Sequence, residues 1–153
     1  MEKDDITYQH TQIGRLLIFV FIAIGVLFGS ILKETGDEPI LVALMIFILL
    51  ILLSFSTLNV VVHKNHVRIK FGYGIFRKKF QLSEIASVKT VRNHWYFGWG
   101  IRIWFWPRML IYNVSGFDAV ELNMKNGKIF RIGTDEPNEL ANAITKALDR
   151  DSR

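Results

Sequence analysis

Four histidines, two adjacent carboxylates and one short glycine pair have the side-chain types that perform acid–base, metal or phosphate chemistry, and their spacing works against all three. His10, His63, His66 and His94 stand apart, with no HxxxH step and no serine or paired carboxylate to complete a catalytic set. They read as surface histidines. Asp135-Glu136 stands directly before Pro137, and acids followed by proline mark a helix start, where the positive end of the macrodipole favours them. Gly72-x-Gly74 lacks the rest of any phosphate loop. The chain has no cysteine, which removes disulfides, thiolate metal sites and a catalytic thiol. The expectation is a non-catalytic protein with no cofactor, no metal and no small-molecule substrate.

Binding chemistry is better represented. Between Asn93 and Arg108 lie all four tryptophans, Trp95, Trp99, Trp104 and Trp106, with Tyr96, Phe97 and Phe105, interleaved with His94, Arg102 and Arg108. Indole rings settle at headgroup depth while guanidinium groups meet phosphate, so this composition suits a bilayer interface. Trp95, Arg102, Trp104, Trp106 and Arg108 are expected in a loop that dips into lipid. The competing reading is that several of these rings fill a core, Trp99 and Ile101 first among them. A second candidate is basic. If Phe71 pairs with Phe76 across a turn, Lys70 falls opposite Arg77 and Arg68 opposite Lys79. Like charges facing each other across strands destabilise unless an anion lies between them, and acidic headgroups would supply one. The plainer alternative is a solvated positive face.

The elements that would hold these residues are segregated along the chain. No charge occurs from Leu16 to Leu32 or from Ile40 to Val62. As helices these runs would measure about 26 and about 35 Å, against a hydrocarbon core of about 30 Å. They predict a transmembrane hairpin, helices about 13–33 and 39–62, within an N-terminal unit 1–62. Between them Lys33 faces Glu34, Asp37 and Glu38, whereas Lys3 and Arg15 precede the first run and Lys64, Arg68, Lys70, Arg77, Lys78 and Lys79 follow the second. The positive-inside bias then puts both termini on the cytoplasmic side of a multi-pass inner-membrane protein. Ser30, Ser54, Ser56, Thr57 and Asn59 are the only polar side chains in the runs, and none is ionisable, which disfavours transport. Gly25 and Gly29 form a GxxxG step that could pack a second helix, from this chain or another.

Residues 58–153 read as a cytoplasmic domain. Val67, Ile69 and Phe71 alternate with Arg68 and Lys70, and turn signals recur at Lys64-Asn65, Gly72-Tyr73-Gly74, Ser115-Gly116 and Asn126-Gly127. Seven strands are predicted near 58–63, 66–71, 75–81, 85–92, 109–113, 117–124 and 128–133. A closing helix carries Leu140, Ile144 and Leu148 on one stripe. Gly98-Trp99-Gly100-Ile101-Arg102, Tyr112-Asn113-Val114-Ser115-Gly116, Ala119-Val120-Glu121-Leu122 and Arg131-Ile132-Gly133-Thr134-Asp135-Glu136-Pro137 follow in that order. In these motifs the chain resembles bacterial membrane-associated pleckstrin-homology-like (PH-like) domain proteins. The resemblance implies a seven-stranded antiparallel β-sandwich or barrel closed by a C-terminal helix, and a bacterial cytoplasmic membrane. It supplies no catalytic residue. Ile103-Trp104-Phe105-Trp106-Pro107-Arg108 departs from it, being more aromatic than the short glycine-rich connection expected there.

From residue 63 onward there are sixteen Lys and Arg against eight Asp and Glu. Basic and aromatic residues together also suit single-stranded nucleic acid, but a domain beginning directly at a membrane helix meets lipid phosphate first. The expected function is a membrane-anchored adaptor or sensor binding anionic headgroups, a protein partner, or both. The alternative is a structural subunit of a larger membrane complex.

Overall fold

The computed structural model of the chain describes residues 6–36, 38–106 and 108–151; Lys3, Asp37 and Pro107, which entered the charge and loop readings, lie outside them. In chain order the elements are β1 (Ile6–Ile13), α1 (Arg15–Thr35), α2 (Pro39–Ser54), β2 (Thr57–His63), β3 (His66–Phe71), β4 (Arg77–Gln81), β5 (Ile85–Arg92), β6 (Gly100–Phe105), β7 (Arg108–Asn113), β8 (Asp118–Met124), β9 (Ile129–Gly133) and α3 (Pro137–Asp151). Four strands form one sheet in the order β1-β2-β3-β4, and five form another in the order β5-β8-β9-β7-β6.

This corrects the expected fold in three respects. The sandwich has nine strands among the described residues, because the segment before the first apolar run and the aromatic tract both become strands. Ile6–Ile13 alternates partly buried and exposed side chains along most of its length and pairs antiparallel with β2, Ile13 opposite Thr57 and His10 opposite Val60. Gly100–Phe105 pairs with β7 from Gly100 opposite Asn113 to Phe105 opposite Arg108. The sheets are also not wholly antiparallel, since β7 runs parallel to β9. Finally, the second apolar run is only partly helical. Residues after Ser54 turn, with Phe55 N–H donating to Leu52 O at 3.1 Å and the Ser56 hydroxyl to Leu53 O at 2.7 Å, and Thr57–His63 enters the sheet. The β-branched Val60-Val61-Val62 packs better on a pleated surface than on a helix. What remains of α2 is 16 residues, about 24 Å long, so α1, with 21 residues, is the one described helix long and apolar enough to cross a membrane. The expected two-span hairpin is overturned.

The core lies between the sheets. Leu58, Val60, Val62, Val67, Ile69, Phe71 and Phe80 face inward from the first sheet, and Tyr112, Val120, Leu122, Phe130 and Ile132 from the second. Helix α3 buries Leu140 and Ile144 against this core and touches β1, β2, β5 and β8, closing the side where the β1 and β5 edges meet. The chain leaves the sandwich for the helices and returns at one point, where Gly14 N–H donates to Ser56 O at 2.7 Å.

Candidate lipid-facing surface

Helices α1 and α2 contact each other, but little else covers them. No residue of α1 is buried, and α2 buries only Met45 and Ser54. Phe19 is 71% exposed and Phe47 60%, and uncovered Ile, Leu, Val and Phe recur on several sides of the pair. An exposed apolar surface of this extent marks a contact with lipid or another protein. The hydroxyls in α1 turn back on its backbone, Ser30 donating to Val26 O at 3.1 Å and Thr35 to Ile31 O at 2.8 Å. Those bonds satisfy them without water. Gly25 and Gly29 face open space, with nothing within 4 Å of where a Cβ would stand, so the small-residue step is not packed against α2.

At the foot of the helices the β3–β4 turn is locked in place. Gly72 has φ of 42°, its N–H donates to Thr57 O at 2.9 Å, and a Cβ there would collide with the Ser54 backbone. A side chain is therefore excluded both by conformation and by space. Phe55, just after α2, packs on Phe71 (5.7 Å between ring centroids) and Phe76 (5.0 Å). Leu17, Leu52 and Phe55 share a shallow recess with Trp99, Gly100, Ile101 and Arg102. Arg102 Nε–H donates to Trp99 O at 3.3 Å, which holds the guanidinium beside this junction.

The basic hairpin has the expected register. Phe71 N–H donates to Phe76 O at 2.9 Å, Lys70 pairs with Arg77 and Arg68 with Lys79. Because Val67, Ile69 and Phe71 point into the core, these four cations share the outer face of β3 and β4. The Lys70 stem lies over Gly74 in the turn. Positive charge thus begins at the helix foot and continues along the strand pair.

The aromatic segment is divided rather than presented as one loop. Phe97 is buried beneath Trp104, their centroids 4.7 Å apart, and with Met109 and Ile111 forms a small cluster on the outer face of the five-stranded sheet. Arg131 lies over the Phe97 ring at 5.7 Å and is fixed by Glu121 at 2.9 Å and by the Asn93 side-chain oxygen at 3.2 Å. Trp104 is half-buried there, its Nε1–H donating to Trp106 O at 2.8 Å. Trp95, 77% exposed, and Trp106, 90% exposed, stand in solvent at the cluster's margin and at the β6–β7 turn. Arg108 begins β7 at that turn, five strand steps or about 17 Å along β6 from Gly100. Of the five expected interface residues, Arg102 lies at the helix foot, Trp104 packs in the outer cluster, and Trp95, Trp106 and Arg108 are displayed elsewhere.

Two polar clusters escaped the sequence reading. His63 and His66 are buried and stacked, 4.2 Å between centroids, which corrects their expected surface position. At the other edge, β1 is clasped to the start of α3: Tyr8 Oη–H donates to Glu136 at 3.0 Å, and His10 approaches Asp135 at 2.6 Å and Glu136 at 3.3 Å. Burial first, then the hydrogen bond to the Glu136 carboxylate, raises the Tyr8 phenol above its ordinary pKa. The acids expected to mark a helix start also fasten the N-terminal strand. No trio of His, Asp or Glu among the described residues could hold a metal ion. In comparison with known proteins, the chain matches no family model and no curated protein.

Proposed function

We propose that the protein is a non-catalytic, membrane-anchored module that places a basic face against anionic lipid headgroups. Helix α1 lies in bilayer hydrocarbon, its foot joined to the sandwich where Gly14 N–H donates to Ser56 O. The observation that carries this reading is the uncovered apolar surface of α1, joined to the sandwich with no linker. Each exposed apolar side chain removed from water contributes roughly 25 cal/mol per Å², and a bilayer covers every side of α1 at once. Arg68, Lys70, Arg77 and Lys79 follow directly from that foot. Their charge favours the cytoplasmic leaflet, where each cation near the surface contributes about 1 kcal/mol.

The test uses the full chain reconstituted in vesicles. Lys70 and Lys79 should acetylate more slowly when the bilayer contains anionic lipid than when it is wholly zwitterionic. Equal rates would remove the headgroup reading, and recovery of the chain in the supernatant of a carbonate wash would remove the anchor. The open Gly25–Gly29 face favours a second reading, a subunit that packs another membrane helix there. A stoichiometric protein crosslink from position 25 in native membranes would select it.

A further inference from the structure

A two-sheet sandwich has two open sides, and this one closes them unequally. Helix α3 covers the side bounded by β1 and β5. The opposite side, bounded by the edge strands β4 and β6, has no helix over it among the described residues. Two recesses run along it. One, of about 240 Å³, is floored by Phe71, Phe76, Ile101 and Tyr112; the other, of about 590 Å³, by Ile103, Leu110 and Phe130. Lys78 lines both, so they are successive parts of one cleft. The larger falls in the range of about 300–1,000 Å³ common to small-molecule sites.

We infer that this cleft binds the acyl chain of a single-chain anionic amphiphile drawn from the bilayer. Its floor is aliphatic and aromatic, as a hydrocarbon chain requires. Its rim is cationic: Arg77 and Lys78 stand on the β4 side, and Arg108 and Lys128 on the other, while no Asp or Glu lines either recess among the described residues. A carboxylate or phosphate headgroup therefore meets only positive charge. Position supplies the third argument. Ile101 lines both the cleft and the recess containing Leu17, Leu52 and Phe55, and Phe76 packs on Phe55, so the cleft opens at the helix foot. The source of the amphiphile rests on the membrane-anchor proposal, whereas the affinity of the cleft for such a molecule does not. An acidic peptide added as a strand to β4 or β6 is the competing occupant. The cleft's apolar floor and its continuity with the helix foot favour the lipid.

The experiment uses the full chain in zwitterionic nanodiscs, a long-chain fatty acid bearing a tail diazirine, and mass-spectrometric mapping of the photoadducts. Adducts are expected on Leu110 and Phe130 in addition to α1. Excess single-chain phosphate lipid should suppress the cleft adducts, and its zwitterionic choline counterpart should not. Ile103→Trp narrows the cleft from a position that is 61% exposed, so it threatens no core packing and should abolish cleft labelling while α1 labelling persists. Lys78→Glu with Lys128→Glu should reduce cleft labelling roughly tenfold. Adducts confined to the helices, indifference to Ile103→Trp, equal competition by the zwitterionic lipid, or suppression by an acidic peptide alone would each overturn the inference. Failure of the anchor has a separate signature, in which the chain stays in solution and α1 is unlabelled, yet Leu110 and Phe130 still react.

Discussion

The β-sandwich and the helical pair are both rich in Ile, Leu, Val and Phe, but they dispose of them in opposite ways. In the sandwich Leu58, Ile69, Leu82, Leu122 and Ile144 are sealed from solvent by two sheets and a helix. In α1 no residue of these types is buried. The sandwich thus contains the partners of its own apolar groups, while the helices require partners from outside. Stability of the first is a property of the polypeptide, and placement of the second is a property of its surroundings.

The sharpest way to break this contrast is to truncate an aromatic ring in each region. Phe80→Ala in the core should cost about 3–5 kcal/mol, read as a fall in the unfolding midpoint of the full chain in detergent. Phe47→Ala on α2 should leave that midpoint nearly unchanged, because its ring is supported by the surroundings rather than by the fold. Comparable losses would mean that the helices belong to the folded core.

The junction between the two regions comes next. Gly72→Ala forces a side chain into left-handed backbone against Ser54 and should destabilise by about 2–3 kcal/mol. If the same thermal measurement showed no loss, the turn would not be clamped to the end of α2.

A smaller effect sharpens the role of β1, which ties the helices to the sandwich. Tyr8→Phe should cost about 1 kcal/mol at neutral pH through the lost hydrogen bond to Glu136. The sign of its pH dependence follows from the raised phenol. The unfolded chain releases that proton near pH 10 while the folded chain keeps it. The stability this contributes is complete below about pH 10 and is lost as pH rises above it. Tyr8→Phe should therefore flatten part of the alkaline decline in denaturant midpoint, leaving the part due to Tyr112, which burial also raises. An unchanged alkaline slope would remove Tyr8 as a contributor. Smallest of all, Gly25→Leu should alter sandwich stability by less than about 0.5 kcal/mol, since its place is open.

Local patterning made much of this legible. Turn chemistry bounded one end or both of six strands, the alternation around Val67 to Phe71 separated core from basic face, and Leu140 with Ile144 announced the closing stripe of α3. The register that brings Arg68 to Lys79 was also accessible, because one short turn controls it. Strand β1 was not, since its partner begins only after both helices have intervened. Strand β6 was disguised by aromatic and arginine residues that suit an interface loop and an edge strand equally well. The end of α2 was hidden because no charge interrupts the chain from Ser54 through Val62 while the partner changes from helix surroundings to sheet.

By itself the sequence determined which segments are apolar, where short turns fall, and that positive charge gathers after the second apolar run; these are properties of neighbours along the chain, set by side-chain chemistry and local backbone preference. The tertiary structure alone decided that β1 returns to β2, that β7 lies parallel to β9, and that β4 and β6 leave a cationic cleft between them. Those features depend on segments far apart in sequence meeting in space, where one strand's burial exists only once another has arrived to cover it.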